Sequence, residues 1–343
     1  MNGRIKKVLL IGVLPLVVLL SVGVWAILCI VSPLSVEKNT VRHLYIHKGD
    51  DFKSVCDSLV AWNALPSPFF FQMGGKMLGI PGKLQAGHYE VSHNMTTKDL
   101  WRKLLRGNQD PVIYRLGTVR LPEELAAKAS RTFAFSAEEL LTVLNDSLFL
   151  DSLGVAPQNV FTLFTPDTYE MWWTATPKEY VLRMAKESER FWKTRSEDLT
   201  ASGLSKQEVL TIASIVDEET HKNDEKPRIA GVYINRLRKG MRLQADPTVK
   251  FALRDFSLRR IRSVHTAFDS PYNTYKYGGL PPSPINIPSV AGIDAVLHYE
   301  HHDYLFFCAK ADFSGYHSFA KTFSEHRQNA RDYQRELNHR QIH

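Results

Sequence analysis

The stretch SKQEVLTIASIVDEET, residues 205–220, organises the reading of the whole chain. Ser205 followed three residues on by Glu208 is a capping box: the Ser hydroxyl accepts a first-turn N–H and the Glu carboxylate reaches back. A helix therefore starts here and runs to Thr220. At about 100° per residue, Val209, Ile212, Ala213 and Val216 form one apolar stripe. Three acids close the helix. Glu219 lies roughly 60° from the centre of the stripe, Asp217 about 100° away and Glu218 nearly opposite. Glu219 is thus the acid expected against apolar surroundings, and Glu218 is expected in solvent. Burial disfavours the charged carboxylate, and an acid that keeps its proton near neutrality can protonate a glycosidic oxygen. Pairing of Glu219 with Arg228 or Arg236 is the competing reading.

Downstream the chain is rich in neutral polar and rigid residues: Val232-Tyr-Ile-Asn-Arg-Leu-Arg, Gly240-Met-Arg-Leu-Gln-Ala-Asp-Pro-Thr-Val, Ser270-Pro-Tyr-Asn-Thr-Tyr and Gly278-Gly-Leu-Pro-Pro-Ser-Pro-Ile. Asn, Gln, Thr and Tyr supply the donors and acceptors that sugar hydroxyls and N-acetyl groups need, and Tyr can pack on a pyranose face. Proline limits the freedom of the loops that carry them. This composition favours a cleft for a polar ligand.

At the other end, Val8 to Val31 are 24 residues without a charge, enough for a bilayer core. The run exceeds the apolar core of a cleaved signal peptide, and no small-x-small site follows it. Arg4, Lys6 and Lys7 precede it. These features predict a signal anchor over 8–31, with residues 1–7 as a cytoplasmic basic head and the bulk of the chain outside the cytoplasm. The same three cations contribute to the net charge of +7, which leaves +4 on the remainder. With no Lys/Arg block or basic strip interleaved with aromatics, nucleic acid is excluded as a partner. Cys29 falls in the span, while Cys56 and Cys308 could pair or remain buried thiols.

Beyond the span, residues 33–42 read as a short linker. The alternating strand at His43, the Lys48-Gly-Asp turn and a helix spaced Phe52, Val55, Leu59 make a first strand–helix unit. Gly87-His-Tyr-Glu-Val followed by Met95–Leu105 makes a second. Phe69, Phe70 and Phe71 between them suit a small core. Residues 43–110 resemble a LysM-type glycan-binding module. Over 111–200 the pattern is mixed: a strand at Val112, helices over Pro122–Ser130, Ala137–Asn145 and Pro177–Thr194, and a turn-rich segment from Phe164 to Glu170. The fold class expected is α+β: one transmembrane helix, a small LysM-like α/β module and a mixed α/β catalytic domain over 111–343.

The segments ASIVDEET, VYINRLRKGMRLQADPTVKFAL and SPYNTYKYGGLPPSPI closely resemble the endolytic murein transglycosylase (YceG-like) family. Pro166-Asp-Thr-Tyr, Tyr304-Leu-Phe-Phe, His317-Ser-Phe and the single N-terminal span resemble it too, so the likeness covers nearly the whole chain. In that family the catalytic acid is the last acid of the helix, which falls on Glu219. The family usually has Glu where this chain has Asp217, and often a base where it has Glu218. Neither departure touches the proposed acid.

The resemblance implies an endolytic lytic transglycosylase. It would cleave the MurNAc-GlcNAc bond of peptidoglycan without water, leave 1,6-anhydroMurNAc ends, and act in cell wall assembly and strand-length control. Glu219 would serve as acid and then base. Gln244, Asp246, Tyr272, Asn273 and Tyr275 are the candidates for positioning the saccharide, with Asp246 the natural second carboxylate if water attacks instead. The alternative from another class is a non-catalytic, membrane-anchored glycan-binding scaffold of the cell-wall synthesis machinery. His298, His301, His302 and Asp303 cluster without a His-Glu-x-x-His pattern, so no metal and no cofactor are expected. Expected partners are glycan strands, the plasma membrane, and peptidoglycan synthases or division proteins.

Overall fold

The structure is a computed structural model describing residues 3–340, with side-chain surroundings from Val13 onward. The basic head expected at residues 1–7 therefore falls on side chains outside the described residues. The first helix, α1 (Gly3–Val31), carries no charged residue after Lys7. Between Val13 and Val31 its mean hydropathy is 2.8 and only 6% of it is buried by protein, so it is long and apolar enough to cross a membrane.

The chain divides into two compact units, residues 1–113 with 132–134 and 170–175, and residues 114–131, 135–169 and 176–343. In the first, β1 (Val41–Ile46), α2 (Phe52–Ala61), α3 (Pro68–Met77), β2 (Gly87–Ser92) and α4 (Thr97–Arg106) follow α1. The strands pair antiparallel, from Val41 opposite Ser92 to Ile46 opposite Gly87. The two strand–helix units of the sequence are therefore halves of one fold. Alternation turns Leu44, Ile46, Tyr89 and Val91 inward, onto Phe52, Leu59, Phe71 and Leu100. Asp51 caps α2, and Thr96 with Asp99 forms a capping box on α4. Two glycines inside α3 permit close packing: a Cβ at Gly74 would lie 2.3 Å from the Trp101 ring, and one at Gly75 2.3 Å from Phe52. Phe70 and Phe71 are buried as expected, whereas Phe69 is exposed.

Residues 33–42 are not a slack linker. Leu34 is fully buried, its N–H donates to the Met95 carbonyl and that of Ser35 to Ala64. Pro33 bridges to Thr96, and the Thr97 hydroxyl donates to the Cys29 carbonyl inside α1. An apolar Leu at residue 34 gave the segment something to bury, and the module closed over it.

The rest of the chain carries β3 (Val112–Leu116), α5 (Pro122–Ala129), α6 (Ala137–Leu144), α7 (Ser147–Asp151), β4 (Asp167–Met171), α8 (Pro177–Lys193), α9 (Ser196–Ser202), α10 (Lys206–Glu219), α11 (Lys226–Arg238), α12 (Asp246–Leu253), α13 (Ser263–Thr266), α14 (Val290–Leu297), β5 (Phe306–Ala309), β6 (His317–Ala320) and α15 (Phe323–His339). β3 pairs with β4, so the segment expected to be turn-rich contains a strand; β5 and β6 pair antiparallel. The architecture is mixed α/β, with helices around small two-stranded sheets. The second unit's core surrounds α10, where Val209, Ile212, Ala213 and Val216 meet Ile229, Tyr233, Ile293 and Val296. Cys29, Cys56 and Cys308 are free thiols.

Candidate active site

The capping box at Ser205 and Glu208 forms as expected and starts α10, which ends at Glu219 as Thr220 turns extended. Every residue from Val209 to Val216 is buried, Thr211 and Ser214 included. The helix is enclosed on all sides rather than along one stripe. The face opposite the stripe therefore holds Arg120 and Asn286, not solvent. Glu218 takes a bidentate hydrogen-bonded pair from the Arg120 guanidinium at 2.8 and 2.9 Å and a third bond from Asn286. The expectation of a solvated Glu218 is corrected: a helical wheel locates the apolar centre but cannot tell what covers the other side. Asp217 pairs with buried Lys226 at 2.8 Å and accepts from the backbone N–H and hydroxyl of Ser289, the residue that caps α14.

Glu219 is different. It is half-buried, and no arginine among the described residues pairs with it. Arg228 binds Glu300 instead, while Arg236 donates to the carbonyls of Leu305, Arg242 and Leu243. The hydrogen bond to Glu219 comes from the buried Tyr233 hydroxyl, which donates to Oε1 at 2.6 Å. Burial pushes the Glu219 carboxyl up to about 7; the Tyr233 bond opposes the rise, and the negative charge of Asp246 adds to it. Burial, reinforced by Glu219, likewise holds the Tyr233 phenol well above its usual range, so it remains a donor.

A cavity of about 250 Å³ opens at this carboxyl, lined among others by Tyr233, Arg236, Gln244, Asp246, Tyr275, Phe307 and His317. Larger cavities of about 460 and 770 Å³ lie elsewhere in this unit, but neither brings a carboxyl together with buried tyrosine hydroxyls. Gln244 and Asp246 reach the cavity because residues 244–248 are stitched to the loop carrying Tyr275. Gln244 N–H donates to the Thr274 carbonyl, Ala245 N–H to the Thr274 hydroxyl, and the Thr248 and Thr274 hydroxyls meet at 2.8 Å. Gln244 adopts φ +50°, a left-handed conformation that costs a non-glycine residue about 1 kcal/mol. The Tyr275 hydroxyl donates to Asp246 at 2.6 Å. Burial first, and then that hydrogen bond, raises the Tyr275 phenol.

Three of the five residues expected to position saccharide, Gln244, Asp246 and Tyr275, thus line the cavity with Glu219; two do not. Asn273 is fully buried, with its amide nitrogen donating to the carbonyls of Thr266 and Phe268 and its oxygen accepting from Tyr275 N–H. It shapes the loop that presents Tyr275. The Tyr272 hydroxyl meets Ser283 at 2.6 Å and its ring packs on Phe251. Missed by the sequence reading is His317. Buried Glu225 holds it twice, accepting its backbone N–H at 2.7 Å and facing Nδ1 at 2.7 Å, with the ring on the cavity wall. The only signal for it was the His317-Ser-Phe segment within the resemblance.

The His298–Asp303 cluster is dispersed among other partners. His298 faces Asp198, Asp303 pairs with Lys321, and His302 has Nε2 on the Arg228 carbonyl and Nδ1 accepting from Tyr304 N–H.

The model of the YceG-like family matches residues 44–332. A curated Bacillus subtilis protein named endolytic murein transglycosylase is 30% identical over 315 residues, covering 87% of this chain and 86% of its own length. A Streptococcus pneumoniae protein of the same name is 29% identical over 66% of this chain, which spans about half (46%) of that longer relative. The crystal structure of a YceG-like protein from Listeria monocytogenes aligns over 84% of this chain and 99% of its own, with 27% identity and a TM-score of 0.55.

Proposed function

The chain belongs to the YceG-like family, and from that premise we propose that it is an endolytic lytic transglycosylase of peptidoglycan. The observation that carries the reading is the Glu219 carboxyl, with a pKa pushed up to about 7, on the wall of a cavity with neutral hydrogen-bonding side chains. An acid poised there is protonated in a large fraction of molecules near neutrality and can still act as a base after giving its proton away.

In this mechanism Glu219 protonates the glycosidic oxygen as the bond to C1 of the muramic sugar breaks. The resulting carboxylate then takes the proton of the same sugar's C6 hydroxyl, whose oxygen attacks C1 and closes a 1,6-anhydro ring. The acid ends protonated as it began, and no water is consumed. Because the nucleophile belongs to the substrate, positioning takes the place of a second protein carboxylate. Gln244, Tyr275 and His317 are the positioning side chains on the cavity wall, and Tyr233 orients Glu219. Asp246, tied to Tyr275, shares that wall. It would serve as base only in a hydrolytic variant of the reaction.

We further read residues 43–110 as a LysM-like glycan-binding module and residues 111–343 as the catalytic domain. The strand–helix–helix–strand order of β1, α2, α3 and β2 supports the former. α1 serves as a single-pass anchor with the bulk of the chain outside the cytoplasm, a reading supported by its length and hydropathy. Peptidoglycan synthases or division proteins are the partners this role implies.

The test is digestion of purified sacculi followed by mass analysis of the released fragments. Anhydro ends, one water lighter than reducing ends, are expected from the native chain and none from Glu219→Gln. Reducing ends would make it a muramidase, and no release at all would leave a glycan-binding scaffold.

A further inference from the structure

We propose that His43, His88 and Glu90 form a binding site for one divalent transition-metal ion of the Zn²⁺ class on the paired strands of the small module. Each offers one ligand atom, and the three atoms lie within 4.8 Å of one another. The placement follows from strand register. His43 on β1 stands directly opposite Glu90 on β2, and Tyr45 opposite His88. Residues two apart share a face, so all four project from the side of the ribbon that Leu44, Tyr89 and Val91 leave free.

His88 is prepared as a ligand. It is 2% exposed although it sits on the outer face, because the Tyr45 ring stacks on it at 4.9 Å. Its Nδ1 lies 3.1 Å from the Asp110 backbone carbonyl. A carbonyl can only accept, so Nδ1 carries the proton and Nε2 keeps its lone pair, the tautomer control seen around metal-bound histidines. That lone pair faces Nδ1 of His43 at 2.8 Å. The Glu90 backbone N–H donates to the Asp110 carboxylate. Its own carboxylate has no hydrogen-bond or ion-pair partner among the described residues. The nearby cation, Lys103, is already matched: its Nζ binds the Asp110 carboxylate and the Glu90 carbonyl.

Two imidazoles and one carboxylate make a donor set that suits Zn²⁺ and its neighbours and not Ca²⁺ or Mg²⁺. At metal–ligand distances of about 2.0–2.1 Å, ligand atoms around a tetrahedral ion sit about 3.3 Å apart. Reaching this needs the imidazoles to part by about half an ångström and the Glu90 carboxylate to swing in, both side-chain rotations. His43 would hold its proton on Nε2, and the fourth position would take water or an external donor. Nothing in the sequence flags the site, since its ligands become neighbours only through the pairing of β1 with β2.

The test uses the full chain, purified in detergent without a polyhistidine tag and titrated with Co²⁺. We expect one equivalent to give the strong visible absorption of a four-coordinate ion, and one equivalent of Zn²⁺ to remove it. His43→Ala and Glu90→Gln should each weaken binding at least tenfold, with the circular-dichroism spectrum unchanged. His301→Ala, outside the site, should bind as the native chain does. Absence of a stoichiometric absorption, or equal affinity in His43→Ala and the native chain, would overturn the assignment. This readout is independent of glycan cleavage.

Discussion

Replacing Glu219 by Gln separates the burial of this carboxyl from its chemistry. The ordinary value for the group is 4.5, and in the folded chain it stands at about 7. Between those two values the folded chain holds a proton that the unfolded chain has shed, so stability falls as pH rises through this window. Below about pH 4.5 both states are protonated and nothing is lost. Above about pH 7 the folded chain carries a carboxylate where burial penalises it, and the loss levels off. The interval of 2.5 pH units, at about 1.36 kcal/mol per unit, amounts to about 3 kcal/mol. Gln has nearly the same shape, carries no charge, and its amide oxygen can accept the Tyr233 hydrogen bond. Glu219→Gln should therefore match the native chain near pH 4 and exceed it by about 3 kcal/mol near pH 8, about 6–12 °C in Tm for a unit of this size. Thermal unfolding of both chains in detergent across that range measures the difference. A gap that does not change with pH, or a variant less stable than the native chain near pH 8, would refute the argument that burial raises this group.

Tyr233→Phe removes the bond that favours the ionised carboxylate, so the alkaline limb of kcat/KM on glycan strands should move to higher pH. The rate should also drop about tenfold, as for loss of one hydrogen bond to a charged group; a limb moving to lower pH would contradict the geometry. Glu218→Gln breaks the charge-assisted pair with Arg120 and should cost about 1–2 kcal/mol in urea unfolding, a figure held down by the exposure of Arg120. Cutting by this variant should persist at low temperature. In Gly231→Ala the new Cβ would sit 2.4 Å from the Glu300 carbonyl oxygen, so α11 must back away. We expect a loss of about 1–3 kcal/mol by denaturant unfolding.

What the sequence made legible was what local pattern controls. Ser205 and Glu208 mark the start of α10 because a capping box is a contact within one turn, and the apolar run before Val31 is a matter of composition alone. Helical phase also singled out Glu219, since its neighbours at Ile212 and Ile215 lie on the same helix. The rest depended on which distant segment arrives. Glu218 was misread because Arg120 and Asn286, 98 and 68 residues away, cover its face. Gln244 and Asn273 look alike in composition. One lines the cavity while the other spends its whole amide on backbone, and only the fold of the loop decides which. His317 enters the cavity wall through β6, whose pairing with β5 could not be read from spacing.

The seam between α1 and the small module leaves almost no play. Only Ser32 and Pro33 separate Val31 from the buried Leu34, and the Thr97 hydroxyl is bonded to the helix itself. With α1 in a bilayer, the module would ride on it as a bracket on a post rather than as a float on a leash. Its height above the lipid would be set by the protein, and any glycan it holds would be held at that one distance. A ligand of the module would then have to pass within that fixed distance of the membrane surface.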